Sequence, residues 1–257
     1  MNARATLWHV FGWGTVVFML SPLLILVLFC FSKSSLISFP LTGFSLIWFE
    51  TLFARGAFWT AFENSLTVTG TVGVVSTVIG TMAAMGLSRM RRRFASVNIA
   101  ALTLPVMLPP LVLGVALLTY YAGVGMKLGL HTVILSHLVF TQPFVILIVH
   151  ARMANFDYAI VNSARDLGAT PFRAFSSITL PIVRPTVIGA ALVAMALSID
   201  DFIITIFTIG GGNTLPTFLW GMLRKGVNPS VNIVGLILLT VTICASLIAL
   251  RLTRYRG

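Results

Sequence analysis

The residues best placed to do chemistry in this chain are two adjacent carboxylates, Asp200 and Asp201, set in the apolar run ALSIDDFIITIF. An ionised carboxylate turned toward hydrocarbon is costly, so charged residues in such runs face a bundle interior or a watery path. Two roles are open to the pair: drawing a cation along a polar path, or anchoring neighbouring helices through buried hydrogen bonds. Successive helical residues point about 100° apart, so only one of the two faces a central path fully. The other is free to cap a helix break or to pair with a neighbour. Arg184 marks one end of this segment, and at about 1.5 Å per residue Asp200 lies about 24 Å farther along. That depth falls in the far half of a hydrocarbon core about 30 Å thick.

Other chemistries find little support. There is no Gly-x4-Gly-Lys-Ser/Thr phosphate loop and no Ser/His/Asp or Cys/His arrangement that stands out from the apolar periodicity. The four histidines, His9, His131, His137 and His150, lack metal-ligand spacing and suit interfacial or packing roles. Cys30 and Cys244 sit far apart in apolar segments and read as small packing residues rather than a disulfide or metal pair. No cofactor is expected.

The elements that must position the carboxylates are membrane helices. Hydrophobic residues make up 58% of the chain and charged ones 9%, and mean hydropathy is +1.01, which excludes an ordinary soluble domain. A span needs about 20 apolar residues, and six segments qualify: near 8–31, 62–88, 97–120, 132–152, 183–207 and 231–251. The alternation of a membrane β-barrel is absent. The expected fold is an all-α polytopic membrane protein with six transmembrane helices, forming a single domain over 1–257 with its core over about 60–252.

The net charge of +11 is arranged for a membrane and not for nucleic acid. If the N-terminus is inside, 12 of the 17 lysines and arginines fall on cytoplasmic stretches: Arg4, the Arg89–Arg93 turn, Arg152 to Arg184, and Arg251 to Arg256. This positive-inside bias places both termini in the cytoplasm. The first apolar run is too long for a signal-peptide core and lacks a small-residue cleavage site, so it is expected to remain as a helix. The connector 33–60 then lies outside, with Phe44, Ile47, Trp48 and Leu52 forming a short amphipathic surface.

Within the spans, Gly70, Gly73, Gly80, Ala83 and Ala84 let helix backbones approach closely. The third span is interrupted by Pro105, Pro109 and Pro110, followed by Gly114, and Gln142-Pro143 interrupts the fourth. Proline bends a helix and removes a donor, which lipid tolerates only beside compensating neighbours or water. A bent helix lining a path and a kink with no ligand contact are equal readings of these residues.

The most informative stretch is 157–181, DYAIVNSARDLGATPFRAFSSITLP, too polar for lipid yet flanked by spans. Ile160, Ala164 and Leu167 form one apolar stripe of a first short helix. Gly168 suits the left-handed position that ends it, and Thr170-Pro171 suits the start of a second. Phe172, Phe175 and Ile178 line that second helix, and Pro181 marks where it should stop or bend. On pattern alone, a loop that merely covers helix ends would serve.

The residues SARDLGATPFRAFSSITLPIVRP resemble the cytoplasmic coupling loop of binding-protein-dependent ABC importer permeases. The resemblance assigns Ala164 and Asp166 to the loop's first helix, Gly168 to its glycine and Leu180-Pro181 to its closing signature, while Asn162-Ser163-Ala164 stands where Glu-Ala-Ala gives the motif its name. Asn64-Ser65-Leu66 is similar to the start of the family's membrane core, and the segment SIDDFIITIFTIGGGNTLPTFLWGMLRKGVNPSVN looks like the polyamine branch. The resemblance implies a non-catalytic subunit in a bacterial inner membrane. Its implied partners are a cytoplasmic ATPase subunit, a second permease subunit and an extracytoplasmic substrate-binding protein, with Asn64, Pro109, Gly114, Asp200 and Asp201 along the path. Another small solute, such as an aminophosphonate or an anion, is the alternative cargo. A membrane scaffold docking a cytoplasmic partner is the alternative class.

Overall fold

The structure is a computed structural model and describes residues 3–254. Among these residues the secondary structure is helical, apart from one isolated bridge between Ser32 and Phe44. The helices are α1 (Ala3–Cys30), α2 (Ile47–Phe53), α3 (Gly56–Ser88), α4 (Arg92–Met107), α5 (Pro110–Gly123), α6 (Leu130–Ala154), α7 (Tyr158–Asp166), α8 (Pro171–Ala174), α9 (Leu180–Asp200), α10 (Ile203–Thr208), α11 (Leu215–Lys225) and α12 (Pro229–Arg254).

Four uninterrupted helical stretches are long and apolar enough to cross a bilayer: Trp8–Cys30, Gly56–Ser88, Leu130–Ala154 and Pro171–Asp200. A fifth crossing results if α4 and α5 count together, though they are bent by 98° at their junction. The expected third span is therefore two helices, because Pro109 and Pro110 cannot supply the amides that would carry the helix through. α12 occupies the sixth expected segment, with its apolar part over Pro229–Ala245. Arg256, counted above as a cytoplasmic charge, lies outside the described residues.

The chain divides into two compact units. The first comprises Met1–Trp59 and Phe218–Thr240. In it Trp48 donates from Nε1 to the Ser32 carbonyl at 3.0 Å, and Leu52 is buried, so α2 is the short amphipathic helix expected after the first span. α1 itself exposes apolar side chains all round, from Trp8 through Phe18 to Leu24, as a helix bathed in lipid does.

The second unit comprises Thr60–Thr217 and Val241–Gly257. Its core is built where α3, α6 and α9 meet, around Ala84, Val145, Val149, Val183, Ala190 and Ala194. The small residues on α3 set the approach: a Cβ on Gly80 would overlap Val145, and one on Gly73 would overlap Met195. Gly70 borders open space and plays no such part.

α6 carries the polar face of this bundle. Thr132, Ser136, His137 and Thr141 are all buried and lie at spacings that share one side of a helix. Thr132 donates to the Thr208 carbonyl at 2.6 Å, Ser136 bonds the Tyr121 hydroxyl at 3.0 Å, and Thr141 bonds Ser76 at 2.8 Å. Buried hydroxyls in an apolar bundle need such partners, and here each partner belongs to a different neighbouring helix.

Candidate functional site

The fifth expected span, 183–207, is broken at the carboxylates. α9 ends at Asp200, Asp201 is extended at φ −70° and ψ 120°, and α10 begins at Ile203. A break inside an apolar bundle leaves backbone amides without partners. The Asp201 carboxylate takes two of them, accepting from Thr205 N at 2.9 Å and from Ile204 N at 3.5 Å. The Thr205 hydroxyl donates at 3.0 Å to Oδ2, the oxygen that Thr205 N also reaches.

Sequence reasoning missed the residue that completes this arrangement. His137 of α6 is 1% exposed and places Nε2 3.3 Å from Asp201 Oδ2 and 2.9 Å from Thr205 Oγ1. Its Nδ1 lies 2.8 Å from Ser198 Oγ on the last turn of α9. A search for metal ligands could not single it out. The useful signal was a histidine on the Thr132/Ser136/Thr141 face of an otherwise apolar span. Asp200, one residue away, is exposed. The two carboxylates separate because the helix ends between them: Asp201, extended, is satisfied in the bundle, while Asp200, the last residue of α9, stays exposed.

The other residues assigned to the path occupy two further places. Asn64 donates from Nδ2 to the Asn213 carbonyl at 2.8 Å, and neighbouring Ser65 accepts from Leu215 N at 2.8 Å. Together they clamp the Gly210–Pro216 turn onto the start of α3. Gly114 is buried on α5 against α10, where a Cβ would come within 3.0 Å of Phe207 and 3.4 Å of the Ile204 Cα. Pro109 is exposed at the α4–α5 break. Gly114 therefore touches the element that follows Asp201, whereas Asn64 holds the later turn and Pro109 lies at the α4–α5 break.

The 157–181 segment is built by its caps. Asp157 starts α7 by accepting from Ala159 N at 2.9 Å. Gly168 ends it at φ +92°, with Gly168 N bonded to the Arg165 carbonyl at 2.9 Å and Ala169 N to the Ala164 carbonyl at 3.0 Å. This paired closure with a left-handed residue is the Schellman end. Thr170 then caps α8, accepting from Arg173 N at 3.3 Å.

The second short helix does not stop at Pro181. α8 passes through a π-helical turn, Phe175–Thr179, directly into α9, so Pro171–Asp200 is one continuous helix. Leu180 N bonds the Phe175 carbonyl five residues back. A widened turn of this kind absorbs the mismatch that Pro181 brings to the ladder. The consequence is one continuous helix from Pro171, just after the Gly168 turn, to Asp200.

The apolar stripe proposed for α7 points outward. Leu167 is 89% and Ile160 48% exposed, and Phe172 on α8 is 76% exposed. Asn162, Ser163 and Asp166 are exposed beside them, Ala164 is half-buried and Pro181 is exposed. Val161, Ala174 and Thr179 face inward. On that inner side the Tyr158 hydroxyl bonds Ser88 at 2.7 Å, and the Arg89 guanidinium lies 5.5 Å from the Tyr158 ring centroid. Such contacts fix the segment against the end of α3 and leave an apolar and charged outer face.

A long apolar bundle that exposes a capped helical knuckle and carries a charged helix break is a multi-pass membrane architecture. The chain belongs to the family described as the binding-protein-dependent transport system inner membrane component, whose profile matches residues 76–255. It is 33% identical over 230 residues to the putrescine transport system permease protein PotI of Escherichia coli, covering 86% of this chain and 82% of that protein. It is 28% identical over 253 residues to the spermidine/putrescine transport system permease protein PotC of Haemophilus influenzae, covering 98% of each. Among solved structures, a chain of a bacterial alginate ABC transporter in complex with an alginate-bound periplasmic protein matches with a TM-score of 0.74 at 17% identity, over 98% of this chain and 95% of that one. A chain of the inward-facing MetNI methionine ABC transporter matches with a TM-score of 0.62 at 21% identity, over 80% and 96%. The chain is a multi-pass, non-catalytic permease subunit of an ABC importer.

Proposed function

We propose that this subunit moves a polyamine-like cation inward, using ATP hydrolysed by a separate subunit. The observation that carries the reading is the 33% identity to a putrescine permease over most of both chains. Asp200 supports it, because an exposed carboxylate at a break in an apolar helix attracts a cation. The path is lined by Asp200, with Asp201 and Gly114 shaping the break, Asn64 holding the turn that follows, and Pro109 at the bend of the third crossing.

The chain acts as a single permease domain with six crossings, the bent α4–α5 pair counting as the third and α12 as the sixth. Both termini and the 157–181 segment are cytoplasmic in this reading, as the distribution of arginines favours. The outer face of α7 and α8 docks the ATPase through Asn162, Ser163, Ala164, Asp166 and Gly168. Pro181 lies on the helix that carries the motion onward. A second permease subunit completes the path, and an external binding protein delivers the cargo. Closure of the ATPase pair then rocks the two permease halves about one site.

The test is reconstitution of the subunit with the ATPase, second permease and binding protein encoded beside it. ATP-dependent uptake of labelled putrescine or spermidine into proteoliposomes is expected. Uptake of an anion or a neutral solute, with neither polyamine moved, would overturn the cargo assignment.

A further inference from the structure

The least expected feature of the second unit is the histidine that reaches both sides of the α9–α10 break. His137 Nδ1 lies 2.8 Å from Ser198 Oγ on α9, while Nε2 lies 2.9 Å from Thr205 Oγ1 on α10 and 3.3 Å from the carboxylate between them. Facing an ionised Asp201, which only accepts, Nε2 carries a proton toward Asp201 and Thr205, and in the neutral imidazole Nδ1 then accepts from the Ser198 hydroxyl. One imidazole, held on a third helix, thereby ties the last turn of α9 to the first turn of α10. Thr141 donates to the His137 carbonyl at 2.7 Å and bonds Ser76 of α3 at 2.8 Å, which seats that part of α6.

The direction of Asp200 depends on this tie. Its backbone is the final residue of α9, and its neighbour Asp201 is bonded to His137 and to the α10 amides. Among the described residues, no side-chain hydrogen bond or ion pair holds Asp200 itself. With the carboxylate unheld, the placement of the last turn of α9, which His137 holds through Ser198, sets where it points. We infer that His137 is a positioning residue: by joining Ser198, Asp201 and Thr205 across the break, it fixes the direction in which Asp200 meets the transported cation. The inference rests on the cation path proposed above.

The two ring nitrogens can be tested separately. The amide nitrogen of His137→Gln falls near the place of Nε2 and keeps the donor to Asp201 but loses Ser198, whereas His137→Asn reaches only the place of Nδ1, where its amide oxygen accepts from Ser198, and loses Asp201 and Thr205. The assay uses the full complex in proteoliposomes with saturating putrescine-loaded binding protein. It reads putrescine moved per ATP hydrolysed, alongside assembled complex. A purely structural role lowers assembly, or lowers transport and hydrolysis together, and leaves the ratio unchanged. The expected result is a ratio reduced about fivefold or more by both variants, equivalent to about 1 kcal/mol in the transfer barrier, since each severs the tie on one side of the break.

The Asp200→Asn background separates the two readings. If His137 acts through Asp200, adding His137→Asn there lowers the ratio no further, because the effects of coupled residues do not add. Unchanged ratios in both the Asn and Gln variants, or a full additional loss in the Asp200→Asn background, would overturn the positioning role and leave the cation path standing. An unchanged ratio in Asp200→Asn alone would overturn both.

Discussion

At the residue scale, Asp200 and Asp201 show how one sequence feature divides into two roles. Asp201 accepts from two α10 amides and faces His137, so its removal leaves several buried donors unpaired. Each such loss costs about 1–3 kcal/mol. Asp201→Ala is therefore expected to lower membrane abundance, while Asp201→Asn, which still accepts at the cap, preserves it. Asp200 has no such duty, and Asp200→Asn should leave abundance unchanged. Uptake at sub-saturating putrescine should fall by about tenfold if about 1.4 kcal/mol is lost at the limiting barrier. Full uptake by Asp200→Asn, or normal abundance of Asp201→Ala, would reverse this division.

At the scale of elements, the continuous helix from Pro171 to Asp200 links the exposed knuckle to the charged break. The knuckle depends on Gly168, whose φ of +92° is one that residues with a side chain rarely adopt, although a Cβ there would meet open space. The penalty is thus conformational, about 1 kcal/mol. Gly168→Ala tests the turn alone, and Gly168→Asp adds a charge to the docking face. Both are expected to insert normally. Substrate-stimulated ATP hydrolysis should weaken in the first and vanish in the second. Unchanged stimulation in Gly168→Asp at normal abundance would remove the docking role. Gly114 makes the complementary point, since open space is what it lacks. Gly114→Val should push α10 from α5, reducing abundance or uptake, and wild-type levels of both would contradict the packing described.

At the scale of the whole molecule, six crossings with cytoplasmic termini require residues 170 and 228 to lie on opposite sides of the membrane. Cysteines at Thr170 and Asn228, in a background where Cys30 and Cys244 are replaced, should react with an impermeant thiol reagent from opposite faces. Reaction of both from one face would exclude the six-crossing arrangement.

The sequence by itself determined the helical membrane character, through the length of its apolar segments, and the form of the knuckle, through Asp157, Gly168 and Thr170. Those are local properties: span length answers to bilayer thickness, and caps satisfy amides a few residues away. It also implied that the two aspartates would diverge, although the divergence comes from a helix end between them and not from helical rotation. Only the tertiary structure decided which aspartate was anchored, since His137 stands 64 residues earlier than Asp201 and nothing local connects them. It likewise decided that Pro181 sits within a continuous helix, where a π-helical turn absorbs it, and that Gly114 serves contact with Phe207 and Ile204. Packing between distant helices makes such choices, and no window of sequence contains both partners.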